Sequence, residues 1–270
     1  MRILFALLLW PALAAAGPWT RDAGQAYVKL SSGVYWADAF AGSDGAVVDG
    51  VAYQGLSQTV YAEVGLAKNV QLLLYLPHQT ATNDFEGYGR FRSAALGDAK
   101  LGVQVGLPLP FPVALRTEMK IPLYDAAEPS GAQRASFPLL GDGQMDVNLW
   151  VSAGGSIPGL PMYGFVEVGH QVRTDAAFGE GLNRSFGDGL LGAAQLGIDV
   201  YGGVILAANA NAVLPYADEP GTKAYVTAGP SIYAPFWRGL AFEAAFDTTP
   251  WARYSARGMA LSLGLSWNHR

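Results

Sequence analysis

The stretch Gly55–Ala67, GLSQTVYAEVGLA, sorts into two interleaved sets of side chains. Leu56, Gln58, Val60, Ala62, Val64 and Leu66 form one; Ser57, Thr59, Tyr61, Glu63 and Gly65 form the other. Neighbouring side chains of a strand point to opposite faces, so this segment has one largely apolar face and one polar face. Outward from it the same alternation recurs in stretches of roughly ten residues, a length suited to crossing a bilayer at a tilt.

Alternation and turn residues together predict about twelve strands. The predicted spans are Gln25–Trp36, Tyr53–Ala67, Val70–His78, Gly97–Leu107, Val113–Tyr124 and Gly143–Gly155 in the first half. Met162–Arg173, Gly189–Val200, Gly203–Leu214, Thr222–Ala234, Gly239–Thr248 and Arg257–Trp267 follow. The breaks alternate. Those at Lys68-Asn69, Pro108–Pro112, Ser156–Pro161, Tyr201-Gly202 and Pro235–Arg238 are short. Those at Ala37–Ala52, Gln79–Leu96, Asp125–Asp142 and Thr174–Asp188 are long, and Pro215–Gly221 and Thr249–Ala256 intermediate. The expected fold is an all-β, transmembrane, antiparallel up-and-down barrel with short periplasmic turns and longer extracellular loops.

The remaining features agree. Met1-Arg2, an apolar run from Ile3 to Trp10 and Ala14-Ala15-Ala16 read as a signal peptide over 1–16, leaving 17–270 as one barrel domain. The chain has no Cys, which excludes an acylated lipoprotein, and no apolar run long enough for a spanning helix. Half of it is hydrophobic and only 14% is charged, with 34 Gly and 13 Tyr, a balance that favours a membrane barrel over a soluble sandwich. The first strand follows Gly17 closely, so no N-terminal plug domain is expected and any occlusion should come from the long loops. The expected location is the outer membrane of a Gram-negative bacterium, with lipid, lipopolysaccharide and the barrel-assembly machinery as partners. Trp267 near the C-terminus suits that machinery. Acidic residues in the proposed extracellular loops, Asp38, Asp44, Asp49, Asp218 and Glu219, suit cation bridging to lipopolysaccharide or discouragement of anions, and a solvated acidic surface is the plainer reading.

A charge facing mid-membrane lipid costs about 2–4 kcal/mol, so charged positions within the strands identify the lumen face. Inward parity collects Glu63, Asp98, Lys100, Arg116, Glu118, Lys120, Asp146 and Glu167 as a lumen charge network. With the turn centred on Leu109, Lys100 stands opposite Glu118 and Asp98 opposite Lys120; a register shifted by two would set Lys100 against Lys120. Asp146 is available to Lys120, and Trp150 to Arg116. These groups brace a narrow barrel or filter a solute, and bracing is the plainer reading. Tyr61, Leu73, Tyr75, Trp150, Tyr163 and Phe165 share inward parity and form a candidate apolar lumen patch. Twelve strands give a backbone radius on the order of 12 Å, too narrow for a wide diffusive porin once side chains are added.

Catalysis finds little support. The three His are His78, His170 and His269. His170 has outward parity, Ser152 points inward and Ser185 is in a loop, so no nucleophile and base share a face. The sequence carries no phosphate-cradling loop, metal-ligand cluster or basic stripe for nucleic acid, and no cofactor is implied.

Three stretches carry a resemblance. Tyr61–His78, YAEVGLAKNVQLLLYLPH, resembles an E-x-G-turn-L-x-L-x-x-P hairpin. Leu96–Leu107, LGDAKLGVQVGL, resembles a G-D-x-x-L-G strand opening, and Gly141–Gly155, GDGQMDVNLWVSAGG, a G-D-G-x-x-D step. All three are similar to outer-membrane barrels of the meta pathway of phenol degradation, a family regarded as transporters. The resemblance implies passage of small, aromatic or hydrophobic molecules, and singles out Glu63, Gly97, Asp98, Gly141, Asp142, Gly143 and Asp146. The expected function is a small-molecule channel with a polar-lined lumen. The alternatives are a non-transporting structural or surface-interaction barrel and an outer-membrane lipid hydrolase.

Overall fold

A computed structural model describes residues 17–87, 89–124, 137–138, 140–177, 183–217 and 222–269. The signal-peptide reading over 1–16 and the acidic pair Asp218 and Glu219 lie outside the described residues.

Twelve antiparallel strands close on themselves, each paired with its sequence neighbours and the first with the last. They are β1 (Ala26–Ala41), β2 (Val47–Ala67), β3 (Val70–Phe85) and β4, which runs in two segments, Gly89–Leu96 and Asp98–Gly106. Then come β5 (Val113–Pro122), β6 (Asp146–Ser156), β7 (Met162–Arg173) and β8 (Gly189–Tyr201). β9 (Val204–Pro215), β10 (Ala224–Trp237), β11 (Leu240–Arg253) and β12 (Ser255–His269) complete the wall. Ala176–Ala177 and Asn183–Arg184 form a small hairpin in the loop after β7. Short turns lie at one end and longer connections at the other.

The exterior is apolar where a soluble protein would be polar. Leu101, Val103 and Val105 on β4, Val147, Leu149 and Val151 on β6, and Leu261, Leu263 and Leu265 on β12 are 40–56% exposed. A belt of that extent needs a hydrocarbon solvent.

The wall has unequal height. β2 has 21 residues, about 70 Å of extended chain, whereas β5 has 10, about the thickness of a bilayer core. The long breaks expected at Ala37–Ala52 and Gln79–Leu96 are therefore largely paired strand: β1 turns to β2 over 42–46, and β3 runs to Phe85 with β4 beginning at Gly89. Above the membrane both faces of a strand meet water. The alternation that marks lipid crossing stops there although pairing continues. The break expected at Thr249–Ala256 shrinks to Tyr254, in the left-handed region at φ 50°.

Two backbone irregularities matter for the interior. At Gly97 the parity of β4 reverses, because His78 pairs with Leu96 but Tyr75 with Lys100. A β-carbon on Gly97 would lie 2.8 Å from the Gln79 side chain and 3.1 Å from Pro77, so a larger residue would displace Gln79 at this bulge. The second lies in β10. Pro230 has no N–H, and the ladder to β11 lapses between Ala228↔Thr248 and Ser231↔Ala245. Asn209 Nδ2 donates to the Gly229 carbonyl at 3.2 Å, satisfying from inside the lumen a group in the interrupted stretch.

Candidate functional site

The interior of β4 to β7 is a ladder of ion pairs. Lys100 stands directly opposite Lys120, and Glu118 opposite Gly102. This corrects the register expected from a turn at Leu109. Pro108, Pro110 and Pro112 lack N–H groups, so the closing bond forms from Leu107 N to the Val113 carbonyl at 2.8 Å and the turn centres on Pro110. The like-charged pair is relieved along the diagonals. Lys100 Nζ reaches Glu118 Oε1 at 3.5 Å, across the space that Gly102 leaves. Lys120 Nζ lies 3.5 Å from Asp98 Oδ2 and 2.9 Å from Asp146 Oδ2.

Below these, Arg116 and Glu167 meet across β6 through paired contacts of 3.3 and 3.2 Å, each side chain only 4% exposed. Ser152 Oγ donates to Glu167 at 2.6 Å, and the Arg116 guanidinium lies 5.0 Å from the Trp150 ring. Above them the ladder continues into Arg173, Asp142 and Lys223. Arg173 contacts Asp142 at 3.1 Å and Asp146 at 3.5 Å, and Lys223 contacts Asp142 at 2.7 Å. Burial opposes ionisation of Asp142, but Lys223, Arg173 and Lys120 outweigh it and hold the carboxyl well below the usual range. Asp142 in turn raises Lys223, against the opposing effect of burial. Arg173 lies on inward parity and was legible as a lumen residue; Lys223 falls inside the predicted span Thr222–Ala234 but immediately precedes the observed β10, and was not singled out.

The six apolar candidates do not form one patch. Tyr163 and Phe165 each meet the Trp19 ring edge-on at 5.9 Å, within a cluster that includes Ile205 and Tyr233. Tyr61 donates to Glu63 at 2.7 Å, Tyr75 lies 5.8 Å beneath Lys100, and Trp150 flanks Arg116. Leu73 is buried in the wall. Aromatic rings here mostly support charges.

Trp19 exposes a further correction. Residues 17–25 do not lead straight into β1; they fold into the short-turn end of the lumen. Gln104 Nε2 donates to the Gly17 and Trp19 carbonyls at 2.8 and 3.2 Å, and Arg21 Nε to Glu63 at 2.7 Å. Arg21 also donates to Asn268 at 3.0 Å. Occlusion at this end therefore comes from the N-terminal segment. Its signal in sequence was the inward Gln104 and Glu63, polar groups that needed a partner in the lumen.

Two cavities along the lumen bear on the site. The larger, about 970 Å³, opens toward the long-loop end between the tall strands β1 to β3 and β12, under Phe137, Pro138 and Leu140. Tyr35, Phe40, Tyr53 and Tyr254 give it aromatic walls, and Asp142, Lys223 and Asp247 its charges. A smaller cavity of about 340 Å³ lies deeper, bordered by Lys29, Phe165, Glu167, Gln195, Asn209, Glu243 and Asp247. Lys29 pairs with Glu243 at 2.7 Å, and Tyr27 donates to the same carboxylate.

His170 faces outward, and its Nδ1 lies 3.0 Å from Tyr216 OH. Ser152 is committed to Glu167 on the opposite face, and Ser185 donates to Asp175 at 2.7 Å. Among the described residues no group of three His, Asp or Glu is placed to hold a metal ion.

The whole barrel has solved counterparts. An outer-membrane channel from Pseudomonas putida F1 superposes with a TM-score of 0.73 at 11% identity, covering 95% of this chain and 99% of that one. The translocator domain of the autotransporter NalP from Neisseria meningitidis gives 0.52 at 13% identity, covering 93% and 90%. This is an outer-membrane-type barrel fold. No protein-family model and no curated protein sequence matches the chain. At such identities the likeness concerns the fold, and the interior must be read from its own residues.

Proposed function

We propose that the chain is an outer-membrane channel for small, apolar or aromatic molecules. The observation that carries this reading is the 970 Å³ cavity: it is roomy enough for a single-ring solute, walled by tyrosines and phenylalanines, and open at the long-loop end. The apolar exterior belt supports residence in a bilayer. Exposed Asp38 and Asp44 near the long-loop rim suit cation bridging to lipopolysaccharide. The fold shared with a bacterial outer-membrane channel is consistent with this role, as is the sequence resemblance to barrels of phenol degradation.

A second reading, a closed barrel with a structural role, is favoured by the N-terminal segment packed into the short-turn end. Swelling of liposomes carrying the reconstituted protein separates the two. The channel reading expects faster entry of phenol than into protein-free vesicles, and faster still after deletion of residues 17–22. Equal entry with and without protein, for both forms, would overturn it in favour of the structural barrel.

A further inference from the structure

Most ionic groups of the lumen are matched among the described residues. Asp142 is held by Lys223 and Arg173, Glu167 by Arg116, and Glu243 by Lys29. Glu63 is held by Arg21, and Glu118 by Lys100. Asp247 stands midway along β11 on the lumen face, half-buried, its backbone paired with Ala260 and its carboxylate without a hydrogen bond or ion pair to any described residue. Among the described residues it is also the one that borders both cavities.

Its position follows from the break in the wall. Opposite Asp247 the β10 ladder has lapsed at Gly229 and Pro230. A β-carbon on Gly229 would fall 1.8 Å from the Phe246 carbonyl and 2.8 Å from Asp247 Cα. The two backbones can approach this closely only because residue 229 is glycine. Asp247 shares the smaller cavity with neutral Asn209, Asn211 and Ser231, with the acids Glu167 and Glu243, and with one cation, Lys29. Lys29 is engaged with Glu243, and Lys223 with Asp142.

We propose that Asp247 is a recognition site for the protonated amine of a small aromatic or apolar amine. This deepens the channel reading and rests on the lumen being reachable by solute. A carboxylate surplus at the junction of two cavities favours a cationic head over a neutral or anionic one. The Tyr35 and Tyr53 rings, 5.8 Å apart and edge to face on the larger cavity, offer a surface to the attached ring. A carboxylate-bearing solute would instead meet an unpaired like charge.

The test is equilibrium binding to the full-length barrel folded in detergent, with three ligands that share one body: 2-phenylethylammonium, 2-phenylethanol and phenylacetate. The ammonium should bind on the order of tenfold more tightly than the alcohol, as expected for a charge-assisted contact, and phenylacetate most weakly. Asp247→Asn should remove the preference and Asp247→Glu should keep it, with both variants retaining heat-modifiable migration as proof of folding. Equal binding of the three ligands, binding of none, or an unchanged preference in Asp247→Asn would overturn the proposal. Because binding does not require passage, failure of phenol uptake alongside a preserved ammonium preference would strike the channel reading alone.

Discussion

The wall from β4 to β7 and the wall from β8 to β10 solve the same problem by different chemistry. Both turn polar side chains away from lipid. The first does so with ionised groups that interlock across strands, Lys100–Glu118, Lys120–Asp146 and Arg116–Glu167. The second starts at Tyr163 of β7 and uses neutral amides and hydroxyls. Tyr163 donates to Gln195, Gln195 to Asn209 at 2.6 Å, and Asn209 to Ser231 at 2.9 Å. An ionic ladder fixes register, because a shift would strand charges. A neutral chain tolerates loss of a link, and here it coexists with a proline and an interrupted ladder. The ionic wall is therefore the closely matched half, and the neutral wall borders the smaller of the two cavities.

Breaking one link on each side should expose the difference. Arg116→Met leaves Glu167 buried without its cation, and should lower stability by about 3–5 kcal/mol, as removal of one partner of a buried pair does. Urea unfolding in detergent would read it, and adding Glu167→Leu should restore much of the loss. Asn209→Ala on the neutral wall should cost about 1 kcal/mol, the worth of an ordinary hydrogen bond. Equal costs for the two would erase the distinction.

Lys120→Met is the intermediate case. Asp146 keeps Arg173 and Gln171, so about 1–3 kcal/mol should be lost, and Asp98→Asn in the same chain should recover part of it. Full tolerance of Lys120→Met would mean that hydration, not pairing, satisfies this wall.

How far these walls were legible follows from what each residue had to reveal. Parity placed Arg116, Glu118 and Lys120 inward, since lipid excludes them. The partners were readable too, because only a few acids lie within reach. Register was not, for it depended on three prolines of one turn and on which carbonyl they left free. The neutral chain carried a weaker signal: Asn209 faces the lumen by parity, but Gln, Asn and Ser tolerate either environment. Residues 17–25 looked like a lead-in because their fold depends on Gln104 and Glu63, distant partners that only the closed barrel brings near.

The smallest effect concerns the rim. The Asp142 carboxyl is held below its ordinary range, so its stabilisation is complete above the unfolded value and fades as pH falls toward the folded one. Lys223 is raised, so its share is complete below its unfolded value and fades only in strong alkali. The difference in unfolding midpoint between the native chain and Asp142→Asn should stay flat from about pH 5 to about pH 10 and narrow below about pH 4. A difference that widened on acidification would contradict the pairing.

The central claim is that solute travels inside the barrel and not along its surface, and two neighbouring residues test it. Ser57 faces the larger cavity and Gln58 faces outward, one position along the same strand. Phenol uptake by liposomes should fall toward the protein-free rate with Ser57→Trp, which fills the cavity, and remain at the native rate with Gln58→Trp. Native uptake in both variants, or equal loss in both, would contradict the account.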